Sequence, residues 1–312
     1  MTPLRQIAGG YVATRRSLGY QMDAVARLLN SYIDYLEASG AVTVTVANAL
    51  EWATRPADAL PIWWCRRLSV VRGFARHLSA FDRSCQVPPT NLLAVGYARV
   101  TSYIYSTEEV DALVHAAGTL AEPLAEPLPA ASCQAVISLL AVTGMRVGEA
   151  VALARCDVDL EAGIITVVKG KYGASRHVPL HPSTVEMLDR YARRRDRICP
   201  APAADRFFVT SAGTAVSAGW LEQTFAKLLA QAQITTPPGR RRPRIHDLRH
   251  RFAVVTLRNW YRDGVDVRAR LPLLSTMLGH VAPAATYWYL TATPDLLALA
   301  AQRLHDHLGE LP

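Results

Sequence analysis

For most of its length this chain repeats apolar residues every three to four positions, and only once does that rhythm give way to alternation. In "YQMDAVARLLNSYIDYLEASG", Val25, Leu28, Leu29, Tyr32, Ile33 and Leu36 share one helical face, and Gly40 ends the pattern. In "IWWCRRLSVVRGFARHLSAFD", Leu68, Val71, Phe74, Ala75 and Leu78 do the same. The interruption is "IITVVKGKYGASRHVPL" at 164–180, where β-branched residues alternate around K-G-K-Y-G, a strand, turn and strand signal. The expected fold is therefore mainly α with one small β-hairpin or sheet. "QVPPTNLLAVGYARVTSYIYS" at 86–106 has no helical period and divides the helices into two groups. It places a linker over 96–106, between an N-terminal unit of 1–95 and a C-terminal unit of 107–312. Ser106 or Thr107 would cap the helix that follows. "LAEPLAEPLPA" reads as a short Pro-Ala loop.

At 312 residues, half of them hydrophobic and 19% charged, the chain is long and apolar enough for two folded domains. Lysine occurs only at 169, 171 and 227, so the net charge of +8 is almost all arginine. Arginine suits planar, bidentate phosphate recognition, which points to nucleic acid. A merely basic, solvated surface would give the same balance. Cysteines at 65, 85, 133, 156 and 199 form no C-x-x-C, which argues for reduced thiols and against a disulfide framework or zinc ribbon. No secretory signal pattern and no apolar run of membrane-spanning length is present, so a cytoplasmic chain without a membrane partner is expected.

"RRRPRIHDLRHRF" at 240–252 admits two chemistries. His246, Asp247 and His250 form H-D-x-x-H, close to the H-E-x-x-H pair that holds a catalytic zinc. Alternatively, His246 and Arg249 are a helical pair that grips a phosphate. Elsewhere, "LLAVTGMRVGEAVAL" puts Arg146 after a glycine break where a helix begins, a position from which its fork and the helical amides can hold an anion. The hairpin projects Lys171, with Lys169 a possible substitute, and "LLSTMLGHVAPAATYWYL" supplies His280 and Tyr289. Arg72 and Arg76, one helical turn apart, could track a DNA backbone, although an ordinary solvated face accounts for the same pattern. Arg240, Arg241, Arg242 and Arg244 are further candidate DNA contacts. Asp157 and Asp159 in "CDVD" could pair on a metal, but an acidic turn before the hairpin is the simpler explanation.

Taken in order, T-G-M-R-V-G-E, K-Y-G-A-S-R-H-V-P-L, H-D-L-R-H and L-G-H followed by Y-W-Y resemble the tyrosine recombinase family, the phage integrase and Xer-like enzymes. The likeness runs from Thr143 to Tyr289, and "RLSVVRGFARHLSAFD" looks like the last helix of the family's N-terminal domain. Pro283 and the neighbouring alanines depart from the family's usual Ser/Thr-rich segment. The resemblance weakens the zinc reading. Aspartate is also one carbon short of the usual general-base reach, no third ligand is evident, and a cation would sit among many arginines.

The resemblance implies a SAM-like, helical core DNA-binding domain and a catalytic domain that close around double-stranded DNA as a C-shaped clamp. Four copies would synapse two recombination sites, alone or with other recombinases or accessory proteins, in the bacterial cytoplasm on the nucleoid. Arg146 and Arg249 would hold the scissile phosphate, Lys171 would protonate the leaving 5′-oxygen, His246 would assist proton transfer at the tyrosine, and His280 would bond the phosphate. Tyr289 would form the covalent 3′-phosphotyrosine link with no metal, cofactor or ATP. Glu149 would brace the site. Tyr287, two residues from Tyr289, would pack on the apolar side with Trp288 at its edge. The tail "TPDLLALAAQRLHDHL" would dock on a neighbouring copy or pack in cis. Two rivals remain: a catalytically silent accessory subunit of the same fold, and a metal-dependent nuclease.

Overall fold

The computed structural model describes residues 3–93, 102–120, 127–168, 175–236, 241–280, 282, 284–291 and 293–309. It divides into two compact units, Met1–Arg99 and Val100–Pro312. Among the described residues the first holds four helices, α1 (Pro3–Ser17), α2 (Asp23–Ala38), α3 (Val46–Thr54) and α4 (Pro61–Leu78). The apolar stripes read from the sequence face inward: Leu29, Tyr32, Ile33 and Leu36 of α2 meet Leu68, Val71, Phe74, Ala75 and Leu78 of α4 in one core. Thr45 starts α3 by accepting from the Asn48 amide while the Asn48 side chain returns a bond to the Thr45 amide, so two otherwise orphaned donors are satisfied. Trp52 of α3 fills the centre, with Arg67 stacked 3.7 Å over its ring and donating to its carbonyl at 2.7 Å.

The second unit begins with α5 (Thr107–Gly118), and Ser106 is its cap, exchanging bonds with Glu109. Tyr105, within the expected linker, is buried in this unit's core and donates its hydroxyl to the Arg244 carbonyl at 3.1 Å. The central helix α6 (Pro127–Thr143) starts inside the stretch expected to be a loop. Residues 121–126 lie outside the described residues, but Pro127 to Ala130 are helical. Proline is tolerated in a first turn, where the missing N–H has no intrahelical partner to lose, and fully buried Leu128 ties that turn into the core.

After α7 (Val147–Ala152) comes a three-stranded antiparallel sheet of β1 (Val158–Asp159), β2 (Ile164–Val167) and β3 (Arg176–Pro179) in the order β1-β2-β3. Ile165 pairs with Val178 and Val167 with Arg176, with Ile165, Val167 and Val178 buried. The hairpin expected from alternation is thus present, and its turn, with Lys169 and Lys171, lies outside the described residues. "CDVD" forms a 3-10 turn and β1; Asp157 accepts from the Ala154 amide and Asp159 from the Ala162 amide, both at 2.8 Å, as turn acids do.

Four long helices follow: α8 (Pro182–Ile198), α9 (Ala218–Gln231), α10 (Asp247–Arg262) and α11 (Val267–Leu278). The short α12 (Ala284–Tyr287) leads into a 3-10 turn at Trp288–Thr291, and α13 (Pro294–Gly309) closes the chain. Helix α10 belongs to two cores. Leu248 near its start joins the main one, and Ala253, Val254 and Leu257 join a second with Leu271, Leu274, Leu278, Tyr289 and Leu296. α13 packs in cis through Leu296, and Arg303 donates to the Gly264 and Val265 carbonyls after α10, whereas Leu297 and Leu304 face solvent.

Leu128→Ala tests the start of α6. Removing a fully buried leucine should cost about 2–5 kcal/mol in a denaturant titration, whereas a loop leucine would cost well under about 1 kcal/mol.

Candidate active site

The site is built from backbone turns that present carbonyl oxygens to arginines. After α6, Gly144 turns the chain with φ +63°; a Cβ there would meet the Phe252 ring at 2.5 Å. Its carbonyl accepts Arg249 Nη1 at 2.7 Å. After α11, Gly279 turns in the same left-handed region with φ +66°, and its carbonyl accepts Arg146 Nη2 at 2.7 Å. Arg146 sits at the start of α7 and gives Nη1 to Glu149 Oε1 at 2.6 Å, while the second Glu149 oxygen accepts the Arg146 amide at 3.1 Å.

Glu149 has a second arginine. Arg176 of β3 reaches both of its oxygens, at 2.6 and 3.2 Å, and donates Nε to the Met277 carbonyl at 2.9 Å. Burial alone would raise the Glu149 carboxyl, but the Arg176 fork, the Arg146 amide and the Arg146 side chain hold it below the usual carboxylate range. It is ionised at neutral pH. Arg249 of α10 is only 3% exposed, and its Nη2 has no hydrogen-bond partner among the described residues. Burial, then the nearby Arg146 charge, brings its pKa down to about 10, so it too remains charged.

Histidines and aromatics complete the cluster. His280 follows Gly279, shares a 2.7 Å hydrogen bond with buried Thr286, and lies nearly parallel to the Tyr289 ring at 6.2 Å between centroids. Burial and then Arg249 push its pKa down to about 4. His250 packs on Trp288 and Tyr289, each 5.5 Å away, and burial with the adjacent His246 brings it to about 4 as well. His246 is reached by solvent, yet the surrounding protein, then Arg249 and Arg244, lower its pKa. At neutral pH these imidazoles are neutral and able to accept a proton. Tyr289 is buried, which raises its phenol, while Arg249, by its charge and as a hydrogen-bonding neighbour, and then Arg146 pull in the opposite direction.

Arg146, Arg249, His280 and Tyr289 therefore converge from four segments, with His246 at the rim. The expected packing of the tyrosine pair is reversed in part: Tyr287 is 54% exposed, whereas Tyr289 is buried and has Trp288 at its edge. The chain passes from α12 into a tighter 3-10 turn at Trp288, and that turn directs Tyr289 into the second core. In the H-D-x-x-H stretch, Asp247 is buried and accepts from the Arg244 amide and guanidinium, so its carboxylate starts α10. Arg244 is thus paired, Arg242 donates to the Ala226 carbonyl at 3.3 Å, Arg241 is exposed, and Arg240 lies outside the described residues. In the first unit, Arg72 is engaged by the Pro88 and Pro89 carbonyls, while Arg76 and Arg66 are exposed.

Arg176 and Thr286 were not singled out from the sequence. The signal for Arg176 was available: it alternates with Val178 on the inward face of β3, and an inward arginine requires a buried acid. Thr286 carried no such signal.

The profile of the phage integrase family matches residues 105–295. The chain belongs to this family. It is a tyrosine recombinase, an enzyme that breaks and rejoins DNA strands. Over 97% of this chain and 98% of the relative, it is 38% identical to y4rB of Sinorhizobium fredii (strain NBRC 101917 / NGR234), named as an integrase/recombinase. It is 30% identical to the tyrosine recombinase XerD of Ralstonia nicotianae (strain ATCC BAA-1114 / GMI1000), over 90% of this chain and 87% of the relative. In fold it is similar to the XerH recombinase bound to palindromic difH substrate, with TM-score 0.67 and 19% identity over 96% of this chain and 84% of that one. It is likewise similar to the Tn1549 transposon integrase in complex with transposon right end DNA, with TM-score 0.66 and 16% identity over 98% and 100%.

The neutral histidines give a prediction for stability. An unfolded histidine takes up a proton near pH 6.5, whereas folded His250 and His280 do so only near 4. Their contribution is present above 6.5 and is lost as pH falls through that window, because protons then bind the unfolded chain preferentially. The thermal midpoint should drop on acidification from neutral pH toward 4. His250→Gln should remove up to about one proton, roughly 1.4 kcal/mol per pH unit, from that slope. An unchanged slope would contradict the neutral assignment of His250.

Proposed function

We propose that this recombinase acts at specific DNA sites through a covalent 3′-phosphotyrosine intermediate on Tyr289, without metal, cofactor or ATP. The observation that carries the reading is the unpaired Nη2 of buried Arg249 in the cluster that holds Tyr289, Arg146 and His280. Nη1 goes to the Gly144 carbonyl and the Tyr289 side chain lies beside the guanidinium, yet Nη2 has no partner of normal hydrogen-bond geometry. Such a buried donor is costly, and a phosphate oxygen would satisfy it with a charge-assisted bond. Arg146 and Arg249 hold the non-bridging oxygens as charge grows on them. The Tyr289 oxygen attacks phosphorus as its proton passes to a neutral histidine, His246 by its position at the rim. The 5′-oxygen leaves with a proton from Lys171, and His280 bonds the phosphate. The ester is conserved in the new bond, so a second strand end can reverse the step and be joined. Because Tyr289 is buried in the free chain, the 3-10 turn that carries it opens when DNA arrives.

The wider reading is integration, transposition or resolution on the bacterial nucleoid, with four copies bringing two sites together. Support comes from the solvent-facing Leu297 and Leu304 of α13, which leave an apolar strip for a neighbouring copy. The N-terminal helices, with exposed Arg66 and Arg76, contribute a second set of phosphate contacts.

The test is a suicide duplex, nicked so that the leaving strand diffuses away, carrying sites recovered from DNA that co-purifies with the protein. In excess EDTA the wild-type chain should form a covalent adduct, Tyr289→Phe should bind DNA but form none, and Tyr287→Phe should retain it. Arg249→Ala should slow adduct formation about 100- to 1000-fold, the scale on which loss of one fixed donor to a developing oxyanion acts. DNA binding with no adduct from the wild-type chain would make it a silent accessory subunit. Activity lost in EDTA and restored by Mg²⁺ would make it a metal-dependent nuclease.

A further inference from the structure

The clamp uses Arg146 and Arg249 and leaves Arg176 without a task, yet Arg176 is more completely committed than either. All three of its guanidinium nitrogens are engaged: Nη1 and Nη2 by the two Glu149 oxygens, at 3.2 and 2.6 Å, and Nε by the Met277 carbonyl at 2.9 Å. Arg176 and Glu149 each expose only 8% of their side chain. Three of the five N–H donors of Arg176 are taken in this way and only 8% of its side chain is exposed, so its effect passes through what it touches rather than through a phosphate of its own. One neighbour is Glu149, which also holds Arg146 at 2.6 Å. The other is the turn before His280, where a Cβ on Gly279 would strike the Arg176 guanidinium at 2.7 Å.

Charge counting shows what the contact does. Glu149 alone against Arg146 would be a neutral pair, and a carboxylate 2.6 Å from the guanidinium would cancel much of the field that a bound phosphate meets. With Arg176 added, the group of three carries one net positive charge. The carboxylate becomes a bracket that positions Arg146 without discharging it. β3 also begins shortly after Lys171 in the chain, and the same ion pair fixes the start of β3 against α7 and α11.

We propose that Arg176 is a positioning residue of DNA cleavage: it takes up the charge of Glu149 and so leaves that of Arg146 for the scissile phosphate. The proposal rests on the recombinase reading above. It makes a specific prediction about pairs of substitutions, because Arg176 is needed only while Glu149 is charged.

The experiment measures covalent-adduct formation on the suicide duplex for the wild-type chain, Arg176→Met, Glu149→Gln and the double variant, with duplex affinity and thermal unfolding followed in parallel. Arg176→Met should slow adduct formation about 100-fold, as loss of one fixed electrostatic donor does, with little change in duplex affinity. Adding Glu149→Gln should recover at least about tenfold of that loss, a coupling read directly by the cycle. If Arg176→Met does not fold, the comparison of Glu149→Gln with the double variant still decides, and the two should cleave at similar rates. On a duplex with a neutral methylphosphonate at the cleavage position, the Arg176→Met defect should shrink, because less charge then needs compensation. Arg176→Met cleaving like wild type would overturn the proposal, as would a double variant no faster than Arg176→Met or far slower than Glu149→Gln. A wild-type chain that forms no adduct would refute the recombinase reading itself, and the role of Arg176 with it.

Discussion

A single carboxylate, Glu149, lies between two guanidinium groups, and the arrangement of the catalytic unit depends on it. Arg146, Arg176 and Arg249 repel one another, and burying them side by side would be prohibitive without compensation. Compensation comes from Glu149 and from backbone oxygens at two helix ends: Gly144 after α6 for Arg249, and Met277 and Gly279 at the end of α11 for Arg176 and Arg146. Helix C-termini carry partial negative charge and unpaired carbonyls, so they suit buried cations. The fold therefore brings two C-termini to one point, with the start of α7 supplying the acid.

That concentration of positive charge governs the rest of the site. His280 and His250 are held neutral to about pH 4, and the Tyr289 phenol feels burial in one direction and the arginines in the other. A site that resists taking up protons keeps its bases free, and a site with a buried, unpaired guanidinium donor gains from an anion. Both properties favour a phosphodiester over a neutral substrate. The second core, shared by α10, α11, Tyr289 and Leu296, links the position of Tyr289 to the helix that carries Arg249 and to α13.

Much of this was legible in the chain itself. The helices follow from apolar spacing, the sheet from the one alternating stretch, and Arg146, Arg249, His280 and Tyr289 from motifs in a set order. Other features were not legible because their cause is distant. The first turn of α6 contains two prolines and resembles a loop locally; burial of Leu128 makes it a helix. Tyr287 and Tyr289 look equivalent in "TYWYL", and a change from α to 3-10 geometry between them decides which is buried. Arg72 and Arg244 look like free surface cations, yet one is engaged by the Pro88 and Pro89 carbonyls and the other by Asp247.

The sequence by itself determined the helical class, the site of the hairpin and the kinds of side chain that the chemistry needs, because periodicity, turn residues and functional groups are properties of short stretches. Only the tertiary structure decided how the charges are shared. Arg176, Glu149, Gly279 and Tyr289 are far apart in the chain, and whether an arginine is free for a phosphate or bound to an acid depends on which atoms lie within about 3 Å of it. That distance is set by how the helices and strands pack together.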